Sequence, residues 1–214
     1  VEQKEYQEAL DFKADLVVIH LGLNDTDPRN WPEHSEEFNA DYIRLIDSFF
    51  RVNPKAKIWI CLMTPIFDRH PRFESSTRDW YAAIQRHIRQ IASTGKTSLI
   101  DLHTPLYGRP DLFADAIHPN AEGAGIIART VYGALTGKHG GLALPPLYTD
   151  GMVFQRNEPV VFRGSADAGE TVKVDFNGRV RSAVTDGDGK WSVTFPAETA
   201  GGPYPAVISN GRKT

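Results

Sequence analysis

The chain has 214 residues, room for one large or two small domains, and its 41% hydrophobic and 24% charged content is ordinary for a globular protein. A formal net charge of −3 gives no basic field for nucleic acid or an anionic membrane, and no apolar run approaches the ~20 residues of a bilayer span. The single cysteine, Cys61, excludes an internal disulfide and a cysteine-built zinc site, and within Lys57-Ile58-Trp59-Ile60-Cys61-Leu62-Met63 it reads as a buried strand thiol.

The first part alternates helix and strand. Residues 6–12 read as the end of a helix, and Leu16-Val17-Val18-Ile19-His20-Leu21 is a continuous apolar run, as in a parallel strand covered on both faces. Phe38, Tyr42, Leu45, Ile46 and Phe49 recur at helical spacing, residues 57–64 read as a second buried strand, and Trp80, Ile84, Ile88 and Ile91 mark a helix ended by Gly95. Residues 98–102 predict a short third strand. Ala124, Ile127, Val131 and Leu135 predict a last helix with Asn120 as its N-cap and Gly137 as its stop. This order predicts a doubly wound α/β domain over residues 1–137, with ligands beyond the carboxyl ends of its strands. Asn24, the 65–73 loop and the 102–118 segment fall there.

After a linker at residues 138–143 the helical period disappears. Residues 160–164, 171–176, 179–185 and 191–195 predict short strands, with a further apparent strand just before Gly211. Asn177-Gly178 tolerates positive φ at both positions and marks a hairpin, and Asp186-Gly187-Asp188-Gly189 marks another turn. The Asp-Gly-Asp-Gly run lacks the further ligands and closing Glu of a calcium loop. Residues 144–214 are expected to form a β-sandwich, incomplete at its end. The chain opens Val1-Glu2-Gln3 without Met or a signal sequence, so it reads as a segment of a longer polypeptide.

The chemistry concentrates in Asp115-Ala116-Ile117-His118-Pro119. An Asp three residues before a His can hold one imidazole nitrogen and aim the other at a nucleophile, and imidazole suits proton shuttling at neutral pH. Upstream, Gly22-Leu23-Asn24-Asp25 places an amide at a strand end, where it can donate to a developing oxyanion. Asp25 reads as structural, holding the loop. Of the other histidines, His20 reads as a core residue, and His34, His87 and His139 as surface positions. His103 competes with His118, because it follows Asp101 at the end of a strand, but the Asp115–His118 pair is favoured. Trp31, Phe67, His70, Arg72 and Phe73 are expected on loops above the site, where ordinary loop packing outweighs a sugar-stacking role.

Gly22-Leu23-Asn24-Asp25 and Asp115-Ala116-Ile117-His118-Pro119 resemble the third and fifth conserved blocks of SGNH (GDSL-type) hydrolases. Asn24 through Trp31 and Leu102-His103-Thr104-Pro105-Leu106 resemble the carbohydrate-esterase branch. The resemblance implies a three-layer flavodoxin-like domain lacking its first strand, with Asn24 as oxyanion donor, His118 as base and Asp115 as its partner. It implies no metal or cofactor. It also implies a Gly-Asp-Ser block carrying the nucleophile, and no Gly-Asp-Ser occurs in the chain. Ser35, Ser48 and Ser75 stand in the wrong places to replace it, so the serine is expected upstream of Val1. The stretch from Leu144 to Arg156, with Gly169-Glu170-Thr171-Val172-Lys173-Val174 and Gly201-Gly202-Pro203-Tyr204, resembles the opening β-sandwich of sialate O-acetylesterases. The implied function is removal of O-acetyl groups from sialic acid or another glycan by a secreted or periplasmic bacterial protein, the segment alone being inactive. The implied partner is an acetylated carbohydrate, with no nucleic acid and no membrane. The alternative is a non-catalytic glycan-binding or spacer piece.

Overall fold

The computed structural model of the protein describes residues 3–67 and 77–211. The chain forms two compact units, Val1–Ile127 and Ala128–Thr214. Among the described residues no helix is long and apolar enough to cross a membrane.

In the first unit, strands β1 (Leu16–Ile19), β2 (Lys57–Cys61) and β3 (Ser98–Ile100) form a parallel sheet in the order β1-β2-β3. Parallel neighbours need long crossovers. α3 (Phe38–Val52) lies in the first crossover and α4 (Thr77–Ser93) in the second, preceded in the chain by α1 (Lys4–Asp11) and the short α2 (Trp31–His34). Phe38, Tyr42 and Ile46 repeat every four residues along α3, and Ile84, Ile88 and Ile91 recur along α4. Each set lines one helix face and shares a core with Val17, Ile19, Ile58 and Ile60 of the sheet. Asn53, at the end of α3, donates from its amide to the Ala14 carbonyl at 3.1 Å, while Lys57 N donates to Asp15 O at 2.8 Å. These bonds set β1 and β2 level at their amino ends.

β1 departs from the expectation of burial on both faces. Val17 and Ile19 are buried, but Leu16 is 52% exposed and Val18 38%. β1 is an edge strand in this order, and the core that α3 and α4 share takes only its alternate residues. His20, just past β1, is exposed rather than a core residue.

In the second unit, β4 (Pro159–Ser165) pairs antiparallel with β7 (Lys190–Ala197), and β5 (Thr171–Phe176) lies between β6 (Arg179–Val184) and β8 (Ala206–Ser209). β4, β5 and β7 bury every second residue, and Phe162, Val172, Val174, Phe176, Trp191 and Phe195 meet in one core. Asn177 and Gly178 turn between β5 and β6 at φ 52 and 74, the mirror-image turn their identities predict. Arg181 of β6 reaches the other sheet, donating to Thr194 O at 2.6 Å and lying 5.6 Å from the Phe195 ring centroid.

α5 (Ala121–Thr136) ends at Gly137, whose φ of 71 and 2.7 Å bond to Gly133 O make the stop read from the sequence. His139 beyond it is half-buried rather than a surface residue. Its ring packs on Gly133 and Gly189, and its backbone N–H donates to Asp167 Oδ1 at 2.7 Å. A Cβ on Gly133 would stand 2.5 Å from His139 Nδ1. Alanine normally stabilises a helix interior over glycine by about 0.5–1 kcal/mol. Gly133→Ala is therefore expected to lower stability in urea unfolding despite the better propensity. The Gly133→Ala, His139→Ala double variant should lose less than the sum of the two single changes, and strict additivity would remove the packing explanation.

Candidate active site

α5 begins where Asn120 caps it, accepting from Gly123 N at 3.0 Å as the sequence predicts. The same side chain donates to Asp111 O at 3.0 Å, and Asn120 N donates to Leu112 O at 2.8 Å. One residue thus fixes both the helix and the loop that delivers His118 to it.

Before this cap the chain makes a tight turn around a carboxylate. Asp115 Oδ1 accepts from Ile117 N at 3.1 Å and from His118 N at 2.7 Å, and Asp115 Oδ2 lies 2.6 Å from His118 Nδ1. The hydrogen bond from the ring, with the backbone N–H groups behind it, holds the Asp115 carboxyl far below the usual carboxylate range. An ionised carboxylate only accepts, so Nδ1 carries the proton of the neutral imidazole and Nε2 is left as the basic nitrogen. The two side chains are 51% and 75% exposed. Among the described residues, no serine hydroxyl hydrogen-bonds to His118.

The turn depends on Ala116, which adopts φ 68 with its methyl buried. This left-handed geometry is unusual for a residue other than glycine, Asn or Asp. It is held from both sides, since Phe67 N donates to Ala116 O at 2.9 Å and Ala114 N to His118 O at 3.0 Å. Phe67 follows the carboxyl end of β2, so the first of these bonds ties the Asp115–His118 turn to that edge of the sheet.

Asn24 is exposed and begins a single 3-10 turn, Asn24–Thr26, beyond the carboxyl end of β1. Gly22 just before it has φ 114, and a Cβ there would lie 3.0 Å from Ile84 Cγ2 and 3.1 Å from Met63 Sδ. Only glycine lets the chain pass so closely over the end of β2. The loop is held by Asp27 rather than by Asp25. Asp27 is buried and accepts from Arg29 N, Nε and Nη2 at 2.9, 2.9 and 2.8 Å. Asp25 is half-buried, and burial pushes its carboxyl up. Asn30 Nδ2 donates to the Asn24 carbonyl at 3.3 Å. Because the strands are parallel, β1 runs out into the Asn24 turn and β2 toward Phe67 at the same edge of the sheet, and the 2.9 Å bond from Phe67 N to Ala116 O is what joins the Asp115–His118 turn to that edge.

Among the described residues, His103 takes no part in a carboxylate–imidazole pair. Asp101 caps the turn that follows it, accepting from His103 N and Thr104 N at 2.9 Å each and from the Thr104 hydroxyl at 2.6 Å. The His103 ring packs instead, tilted, against Tyr81 and Tyr107. His87 is half-buried beside Trp31 and Phe38 rather than on the surface, while His34 is exposed and pairs with Glu37. Trp31 is a core residue and not a loop aromatic, and Phe67 packs edge-on against Phe113 at 5.0 Å. His70, Arg72, Phe73 and Ser75 lie outside the described residues. Cys61 is buried, and burial pushes its thiol up to about 12. Among the described residues no group of His, Cys, Asp and Glu is arranged to hold a metal.

Sequence reasoning passed over two supports. Tyr81 donates its hydroxyl to Met63 O and Thr64 O, at 3.0 and 3.1 Å. Gln85, one turn on, accepts from Met63 N at 3.0 Å and donates to Met63 O at 3.2 Å. Their polar ends at i, i+4 on an otherwise apolar helix face were the available signal.

Two expectations test the turn. Ala116→Val should cost about 1–3 kcal/mol in urea unfolding, since a β-branched residue is strongly disfavoured at φ 68, whereas Ala116→Gly should stay within about 1 kcal/mol of the parent. Asp115 titrates lower in the folded chain than in the unfolded one. Its contribution to stability is therefore present above the unfolded carboxyl range and lost as pH falls through the folded value. The stability deficit of Asp115→Asn should shrink on acidification, and a constant deficit would contradict the assignment.

Residues 2–126 match the GDSL-like lipase/acylhydrolase family. An acetylxylan esterase from Xylanibacter ruminicola is 30% identical over 146 residues, which cover 61% of this chain and 30% of that protein. The chain thus spans under a third of that relative's length. A proposed acylhydrolase of Bacteroides fragilis shares the fold, with a TM-score of 0.52 at 18% identity over 61% of this chain and 66% of the other. A carbohydrate acetylesterase from Xanthomonas citri matches at 34% identity over 33% of this chain and 16% of the other, with a TM-score of 0.32. With more than half of its residues matched, and a parallel sheet whose carboxyl edge carries the Asp115–His118 pair, the chain belongs to the GDSL-like lipase/acylhydrolase family.

Proposed function

We propose that this chain is part of a serine carbohydrate esterase that removes O-acetyl groups from a glycan. The observation that carries this reading is the 2.6 Å contact between Asp115 Oδ2 and His118 Nδ1, which leaves Nε2 as a base. The likeness to an acetylxylan esterase supports a plant-type acetylated polysaccharide more than sialic acid. The attacking serine is supplied by a Gly-Asp-Ser block outside these 214 residues, since the sequence contains none. A polymeric substrate of this kind fits a secreted or periplasmic protein. The two antiparallel sheets of the second unit are, in this reading, a β-sandwich of the type that accompanies sialate O-acetylesterases.

In the reaction, His118 Nε2 takes the serine hydroxyl proton as the oxygen attacks the acetyl carbonyl carbon. The imidazolium that forms is stabilised by the Asp115 carboxylate. The Asn24 amide donates to the tetrahedral oxyanion, a contribution worth about 2.7–4 kcal/mol at such sites. The intermediate collapses, the carbon–oxygen bond to the sugar breaks, and His118 returns its proton to the sugar oxygen. Water, deprotonated by the same nitrogen, then attacks the acetyl-serine carbonyl; the bond from the acyl carbon to the serine oxygen breaks, His118 returns the proton to that oxygen, and acetate is released.

Residues 1–214 alone are expected to hydrolyse p-nitrophenyl acetate negligibly, because removing one member of such a unit removes most of its rate. A polypeptide that also carries the Gly-Asp-Ser block should release acetate from acetylated xylan. Asp115→Asn should slow it by about 10⁴-fold through the wrong imidazole tautomer, and Asn24→Ala by about 10²–10³-fold. Full activity in His118→Ala would overturn the reading.

A further inference from the structure

Tyr107 is 72% exposed, high for so large a ring, and lies on the segment that joins the carboxyl end of β3 to the Asp115–His118 turn. Its ring is not loose. The His103 ring lies 5.2 Å away at 33°, and behind it the Tyr81 ring lies 6.0 Å away at 43°. Tyr81 is anchored by its hydroxyl to Met63 O and Thr64 O at the end of β2. The backbone beneath is fixed by Asp101, which accepts from His103 N and from both the N–H and hydroxyl of Thr104. On the far side Leu106 is fully buried against Leu112 and Phe113, and Phe113 bridges to Pro119, next to His118. The result is a run of three tilted rings in contact, with the last, Tyr107, in solvent.

An exposed aromatic held by such backing has already lost its rotamer freedom, which lowers the cost of stacking a ligand on it. We propose that Tyr107, backed by His103 and Tyr81, is a stacking platform for a neutral pyranose ring of the polysaccharide chain, holding it beside the acyl-transfer site. This deepens the esterase reading and rests on it for the identity of the substrate. Neutrality follows from the surroundings. Among the described residues, Arg109 is paired with Asp111 and Glu122, and the Asp101 carboxylate lies at the foot of the platform. Burial lowers the His103 pKa, so an uncharged imidazole underlies the platform at neutral pH. An apolar sugar face, with its C–H groups over a ring, suits such a surface, whereas a carboxylated sugar would find no unpaired arginine among the described residues of this segment.

The test is an NMR titration of residues 1–214 with xylohexaose, which needs no nucleophile. The Tyr107 and His103 ring resonances are expected to shift, Tyr107→Ala to weaken binding at least about fivefold, and Tyr107→Phe to retain it because the stacking face is kept. N-acetylneuraminic acid should leave these resonances unmoved. Shifts confined elsewhere, equal binding by Tyr107→Ala, or no binding at millimolar sugar would overturn the proposal. His118→Ala separates the two readings. It should keep xylohexaose binding while abolishing acetate release in the polypeptide that carries the Gly-Asp-Ser block. Binding at Tyr107 together with no acetate release from acetylated xylan by the parent polypeptide that carries the Gly-Asp-Ser block would sink the esterase reading and leave the platform standing.

Discussion

The carboxylate of Asp115 is the constraint on which the site depends. It takes two backbone N–H groups and one ring nitrogen at once, and so closes a turn, sets its direction and orients an imidazole. No other residue in the segment could do all three. A Glu would place its oxygens one bond farther out, and an amide has one acceptor oxygen to offer in place of two. Ala116 pays for the geometry with its left-handed backbone, and the amide of Phe67 holds it there.

The rest of the first unit serves that turn by supplying a fixed edge. A parallel sheet delivers all its carboxyl ends to one side, so residues far apart in sequence leave the strands together. Tyr81 and Gln85 hold the outgoing backbone of β2 at Met63 and Thr64, a short distance before Phe67 reaches across to Ala116. Helix α4, the end of β2 and the His118 turn are therefore linked by hydrogen bonds rather than only by apolar packing, and bonds of this kind specify direction.

Much of this was legible in the sequence, for reasons that differ between elements. Helices α3, α4 and α5 announced themselves by their period, and Asn120, Gly137 and Asn177-Gly178 by conformational needs that few other residues meet. The Asp115–His118 pair was legible because its three-residue spacing carries its own geometry. Burial was less legible. The apolar run of β1 reads as a doubly covered strand, yet covering depends on what packs against each face, which local sequence does not state. Trp31 and His87 were misplaced for a related reason. Each sits near polar neighbours in the chain, and their burial comes from Phe38, which is remote from His87 in sequence. Asp25 and Asp27 are equivalent on paper, and only the position of Arg29 decides which of them holds the loop.

The lone thiol has a practical corollary. Cys61 is buried at the end of β2, and its proton is held so tightly that almost no thiolate exists at neutral pH. Thiolate is the species that reacts with maleimides, iodoacetamides and disulfide reagents. The folded chain is thus chemically silent toward these reagents, and a cysteine introduced anywhere on its surface would be modified alone. Spin labels or fluorophores could be attached to the loops at the carboxyl edge one position at a time, without first removing a native cysteine from the core.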